Sequence, residues 1–309
     1  MSITSAFFRL IRWPNLVFIA LTQILFYYFV ILPNYKNSVS PVSTLTLFYL
    51  ISASVLIAAA GYIINDYFDL NIDLVNKPEK MVIDNHIKRR WAIVLHFVFS
   101  GAGILLSFLV SLESNFIIFT GNILCVVLLW LYSTTFKKQL LIGNVVISLL
   151  TAWVIIVCYL TLNKSFIFYT PSNFVLHRVF RFAILYASFA FIISLVREVV
   201  KDIEDIQGDS KYQCKTMPIV WGIPVSKVFA GVWISVLICA LIALQFYVLQ
   251  VGWWFSSVYT FLFVVLPLGK ILRDVYLAQT TRDYGLLSRR IKIIMLTGIL
   301  SMIFIRIYM

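Results

Sequence analysis

Nine stretches of about 20 apolar residues divide this chain, at roughly residues 13–33, 45–65, 92–111, 115–133, 141–161, 179–198, 226–249, 253–272 and 291–308. Each is long enough to cross a bilayer core of about 30 Å as a helix. Lipid offers the backbone no hydrogen-bond partners, so a single-chain span must satisfy its own amides, which a helix does. Long alternating runs are absent, which argues against a β-barrel. A mean hydropathy of +0.96 and 61% hydrophobic residues exclude a soluble domain. The sequence therefore predicts an all-α membrane protein with nine transmembrane helices. Arg9 and Arg12 precede the first run as in a signal peptide. That run is too long for a signal core and lacks a small-x-small cleavage site, so it reads as a retained helix. Cys125, Cys158, Cys214 and Cys239 form no CxxC pair and suggest neither a disulfide framework nor a zinc site.

Charge orients the bundle. With the N-terminus in the cytoplasm, 20 of the 25 Lys and Arg fall on that side, leaving Lys36, Lys164, Arg178, Arg181 and Arg306 outside. This is the positive-inside pattern, and it places the C-terminus outside. Topology and anionic headgroups account for the net charge of +12 without a nucleic-acid partner. Twelve of the 13 acids share the cytoplasmic side, with Glu113 alone outside. Acids weigh little in the topology rule, so this clustering needs its own reason.

The acids concentrate in two places. "NDYFDLNID" closes the second run with Asn65, Asp66, Asp69 and Asp73; "REVVKDIEDIQGD" closes the sixth with Glu198, Asp202, Asp205 and Asp209. Both contain DxxDxxxD, 136 residues apart and on one membrane side. The repetition predicts a single domain over 1–309 with two pseudo-repeats of about four helices, about 12–138 and 139–275, and a last helix at 291–308. At 100° per residue each motif forms one stripe on a helix. Carboxylates at a helix C-terminus oppose its dipole and raise one another's pKa. An arrangement that unfavourable, made twice, points to divalent cations. All-oxygen donors suit Mg²⁺ or Ca²⁺, and Mg²⁺ completes its shell with water and phosphate. The stripes read as half of a metal–diphosphate site, with basic residues of the cytoplasmic loops as its clamp.

At these residues the sequence resembles the UbiA superfamily of intramembrane prenyltransferases, which carries an NDxxDxxxD motif after helix two and an Asp-rich motif after helix six. "RWPN" at 12–15, "LYSTTFKKQLLIGN" at 131–144 and "KTMP" at 215–218 are similar to further family segments. The second motif resembles most the geranylgeranylglyceryl-phosphate geranylgeranyltransferase branch. After Asn76-Lys77-Pro78, "EKMVIDNHI" departs from the family's usual Arg-Pro-Ile-Pro-x-Gly. The resemblance implies helices bundled around a central cavity. It also implies Mg²⁺-dependent transfer of a prenyl group, geranylgeranyl by the branch, from a polyprenyl diphosphate to an acceptor, with pyrophosphate released. The branch favours a prenylglyceryl phosphate lipid; hydroxybenzoate, dihydroxynaphthoate and tetrapyrrole acceptors are the alternatives, and a cation-coupled transporter is the non-enzyme alternative. By the same match, Asn65, Asp69, Asp205 and Asp209 are expected as inner metal or water ligands, supported by Asp66, Asp73 and Asp202. Lys138 and Arg197, then Lys201 and Lys215, are expected on the diphosphate. Glu198 either joins its stripe or pairs with Arg197 or Lys201, and Tyr132 either faces the cavity or anchors the interface. His86, His96 and His177 are expected to be structural.

Overall fold

The computed structural model describes residues 2–35, 41–162 and 174–309. Lys36 and Lys164, two of the five basic residues assigned to the outer side, lie outside the described residues. Among the described residues, nine helices long and apolar enough to span a bilayer follow in order: α1 Trp13–Asn34, α2 Thr44–Phe68, α3 Arg89–Glu113, α4 Ile117–Thr134, α5 Ile142–Leu160, α6 Phe174–Glu204, α7 Gly222–Gln250, α8 Trp254–Leu277 and α9 Thr281–Tyr308. The helix count agrees with the sequence, but α9 begins ten residues before the expected 291. Its first turns carry Arg282, Asp283, Arg289 and Arg290, so hydropathy does not register them. A Thr280–Asp283 capping box starts the helix instead.

Each helix turns small and polar residues inward. Ala53, Ala59, Ala60 and Gly61 are buried on α2, while Phe97, Leu105, Phe246 and Phe263 are exposed towards lipid. At Gly103 of α3 an added Cβ would meet Ile57 at 2.7 Å, so only glycine allows α3 to lie this close to α2. Hydrogen bonds join the helices across the core. Gln23 Nε2 donates to Ser54 Oγ at 2.9 Å and to the Val154 carbonyl at 3.2 Å, tying α1 to α2 and α5. Trp153 Nε1 donates to Asn122 Oδ1 at 2.8 Å, and Asn122 Nδ2 to Ser107 Oγ at 2.7 Å, tying α5, α4 and α3. His96 meets the Ala60 carbonyl at 3.0 Å, in the structural role expected of it.

α1 and α8 each contain a π-helical stretch, Phe26–Ile31 and Phe261–Val265, just before Pro33 and Pro267. Proline removes an amide and crowds the preceding turn, and the wider winding absorbs the misfit. A core cluster including Phe26, Leu50, Ile155, Tyr159 and Ile299 fills the bundle at the helix ends remote from the acid motifs. At the motif end, α1, α2, α4, α5, α6 and α9 enclose a cavity of about 680 Å³.

Candidate active site

Both acid motifs straddle a break in their helix. α2 stops at Asp69, which has ψ near −1°, and a short helix restarts over Leu70–Asn76. α6 is interrupted at Asp205, and Ile206–Lys211 continues. The sequence read each motif as one continuous helix, so the breaks are a correction. The stripes nevertheless persist, because the i to i−4 amide bonds carry through. Asp69 N donates to Asn65 O at 2.9 Å and Asp73 N to Asp69 O at 2.8 Å; Asp209 N donates to Asp205 O at 3.2 Å.

One side chain staples the two motifs together. Asn76 Nδ2 donates to the Asp205 carbonyl at 3.0 Å, and Asn76 Oδ1 accepts from Gly208 N at 2.7 Å. A Cβ on residue 208 would lie 2.5 Å from the Asn76 amide, so Gly208 is the space into which the staple fits. Asn65, Asp66, Asp69, Asp73, Asp202, Asp205 and Asp209 consequently line the same cavity, with Arg197, Glu198, Lys201 and Tyr132.

Five of the seven motif carboxylates have a defined side-chain neighbour. Lys137 Nζ lies 2.5 Å from Asp69 Oδ1, with the two side chains 9% and 15% exposed, so this is a largely buried pair. Lys77 Nζ lies 2.6 Å from Asp205 Oδ1 and 3.4 Å from Glu204. Arg12 Nη2 donates to Asp66 Oδ1 at 2.6 Å. Asn144 Nδ2 donates to Asp202 Oδ2 at 2.7 Å, and Asn65 Nδ2 to Asp69 Oδ2 at 2.8 Å. Glu198 accepts from Arg197 at 2.8 Å and Lys201 at 3.1 Å, so it takes the paired role of its two expected alternatives. Lys137 and Lys77 thus place an ammonium on a carboxylate of each motif, where the stripes ask for positive charge.

The electrostatics follow from crowding. Burial first, then the charges of Asp69 and Asp66, push Asp73 up to about 7. Burial, then Asp205 and Asp69, push Asp209 up to about 7. Asp209 responds to Asp69, and Asp73 to Asp205, so each motif lies within the field of the other. Burial alone would lower the Lys77 ammonium, but Asp205 and Glu204 outweigh it and hold it above the ordinary lysine value.

Two residues expected on the diphosphate are not in the wall: Lys138 and Lys215 do not line the cavity. They act through their backbones, Lys215 N donating to the Lys138 carbonyl at 2.8 Å and tying the α4–α5 loop to the segment after the second motif. Of the consecutive lysines it is Lys137 that turns inward. Asn76, Asn144 and Lys292 also belong to the site and were not singled out from the sequence. Asn76 and Asn144 stand in quoted family segments, whereas Lys292 has only the weak signal of one cation followed by "IIM". The divergent "EKMVIDNHI" loop buries Val82 and Ile83 and receives Arg9 Nη1 on the Glu79 carbonyl at 3.4 Å.

Among the described residues no three His, Cys, Asp or Glu side chains converge closely enough to hold a metal by themselves. One buried oxygen of the site, Asn65 Oδ1, nevertheless has no hydrogen-bond partner, and Asp205 Oδ1 is met by the Lys77 ammonium at 2.6 Å. A donor set made entirely of oxygen with open lone pairs fits Mg²⁺, provided that water and substrate complete the shell.

These features define an integral membrane protein with a carboxylate-rich polar chamber at one end of an apolar helix bundle. The chain belongs to the UbiA prenyltransferase family, whose model matches residues 13–293, and it is accordingly a prenyltransferase. The transport alternative lapses with that assignment. A digeranylgeranylglyceryl phosphate synthase of Methanothermobacter thermautotrophicus is 32% identical, over 82% of this chain and 85% of the relative. One from Methanosphaera stadtmanae is 29% identical, over 78% and 81%. In fold, the chain is similar to a solved digeranylgeranylglyceryl phosphate synthase, with a TM-score of 0.62 and 23% identity over 98% and 99% of the two chains. It is also similar to a UbiA homologue from Archaeoglobus fulgidus bound to DMAPP and Mg²⁺, with a TM-score of 0.60 and 14% identity over 96% and 98%.

Proposed function

We propose that the protein transfers a geranylgeranyl group from its diphosphate to the hydroxyl of a prenylglyceryl phosphate, forming an ether lipid. The observation that carries this reading is the Asn76 staple, which brings two all-oxygen stripes to one cavity beside half-buried lysines. The names of the relatives over four-fifths of the chain support the acceptor class. Asn65, Asp69, Asp205 and Asp209 would hold Mg²⁺, with Asp66, Asp73 and Asp202 in support. The metal supplies charge neutralisation for the diphosphate. Lys137, Lys77 and Lys201 lie in the wall where they can exchange a carboxylate for a phosphate oxygen as the donor binds. In the reaction the acceptor oxygen bonds to the prenyl C1 while the C1–O bond to the diphosphate breaks. Its electron pair leaves on pyrophosphate, which also takes the hydroxyl proton. The apolar wall further in, including Ile57, Leu129, Leu150 and Val154, keeps water from the electron-poor C1. The charge pattern supports a cytoplasmic opening of the cavity.

Membranes carrying the protein, supplied with labelled geranylgeranyl diphosphate, Mg²⁺ and a panel of acceptors, should yield a labelled glycerolipid and pyrophosphate. A labelled naphthoate or hydroxybenzoate without glycerolipid would overturn the acceptor assignment. Asp69→Ala and Asp209→Ala should each lower turnover by more than ~100-fold, beyond the usual effect of a supporting residue. Wild-type rates in either variant would remove the metal assignment.

A further inference from the structure

The same cavity carries a layer of opposite sign to the acid stripes. Arg12 and Asn15 from the start of α1, Arg197 from α6 and Lys292 from α9 all line it. Lys292 Nζ donates a hydrogen bond to Asn15 Oδ1. Arg12 and Arg197 are close enough to Lys292 for their charges to act on it. Arg12 is committed to Asp66 at 2.6 Å, and Arg197 shares Glu198 with Lys201. Lys292 has no ion pair among the described residues. Arg197 Nε is buried without a hydrogen-bond partner. A surplus cation beside two arginines is costly in a low-dielectric wall unless an anion joins it.

Depth distinguishes this layer from the metal site. Arg197 stands eight residues before Asp205, ~12 Å further into the bundle at 1.5 Å per residue. The Arg12 guanidinium reaches from Asp66, about one turn before Asp69, to the Tyr62 ring at 5.2 Å, about one turn further in. A diphosphate held at the stripes directs its C1 towards this inner layer. An acceptor hydroxyl that attacks C1, with a phosphate a few bonds away, brings that phosphate to Lys292.

We propose that Lys292, anchored by Asn15 and assisted by Arg197, binds the phosphate monoester of the acceptor, in a subsite separate from that of the donor diphosphate. This rests on the phosphoglyceryl-acceptor reading above. It makes Lys292 a specificity-determining residue: a phosphate-bearing acceptor is selected over the same lipid alcohol without it.

The test is steady-state kinetics of the full chain in detergent, with wild type, Lys292→Met and Lys292→Arg. Lys292→Met should raise KM for prenylglyceryl phosphate about ten- to a hundredfold, the range of one charge-assisted hydrogen bond. KM for geranylgeranyl diphosphate should stay within about twofold. Lys292→Arg should recover most of the loss, and phosphate-free prenylglycerol should react equally slowly with wild type and Lys292→Met. A raised donor KM with an unchanged acceptor KM assigns the layer to the diphosphate and overturns the proposal; no change in either KM also overturns it. If wild type makes no glycerolipid, the functional reading has failed, and binding then judges the subsite. Thermal stabilisation of wild type but not of Lys292→Met by dodecyl phosphate, with none by dodecanol, retains the subsite. Equal stabilisation of both proteins by the phosphate removes it.

Discussion

Arg12 shows how the site departs from local preference. Its backbone is left-handed, with φ of 50°, a conformation that costs a non-glycine residue about 1–3 kcal/mol. The turn aims its guanidinium at Asp66, whose charge holds Arg12 above its ordinary pKa. Lys137 and Lys138 are adjacent in sequence, yet only the first lines the cavity. Lys137→Ala should therefore weaken donor binding ~10-fold or more, the range of one charge-assisted contact, while Lys138→Ala stays near wild type in the same titration. Asn76→Ala should lower activity or Mg²⁺ affinity by ~10–100-fold without loss of insertion, as supporting residues of metal sites do. The acids also predict a pH response. Asp73 and Asp209, raised from 3.8 to about 7, bind protons more tightly in the folded protein than in the unfolded chain. Their contribution to stability is full below 3.8 and is lost as pH rises through about 7. In chelator, the melting temperature in detergent should fall from pH 5 to pH 8. Added Mg²⁺ should reverse the fall, with an affinity that increases over the same interval because the cation displaces protons. A melting curve indifferent to Mg²⁺ at pH 8 would count against both assignments.

At the scale of elements, the helices are joined by close approach and by polar bridges, since lipid provides no hydrophobic force between them. The α2–α3 contact depends on Gly103, and Gly103→Leu should destabilise the fold by about 1–3 kcal/mol through overpacking. The expected observation is a lower melting temperature with the site's chemistry intact below it. The broken ends of α2 and α6 form the decisive element. Each motif resumes as a short helix, and from the end of the first of these Asn76 bonds to the Asp205 carbonyl and Gly208 N of the second motif.

For the whole molecule, the charge distribution predicts sidedness. A cysteine replacing Glu79 should react with an impermeant maleimide from the cytoplasmic face, and one replacing Ser114, between α3 and α4, from the opposite face. Background labelling should be low at Cys214, which burial pushes up to about 11, and at Cys125 and Cys158, which are buried. Labelling of both engineered positions from one side would contradict the topology. The polar site lies at a rim of the bundle, and a cavity of about 680 Å³ extends inward from it. An anionic headgroup and an apolar tail of one substrate can thus each meet matching surroundings.

Hydropathy by itself determined the nine helices, because a span in lipid has to be both apolar and helical. The repeated DxxDxxxD also marked the acidic lining of the cavity, because charged side chains in an apolar chain collect at helix ends on one side of the bundle. Tertiary structure decided the partners. It selected Lys137 over Lys138, gave Glu198 to two cations, put Asn76 between the motifs and brought Lys292 of the last helix to Asn15 of the first. These pairings join residues up to 277 positions apart. Local sequence rules reach only a turn or two of helix, so contacts across the bundle become legible only once the helices have packed.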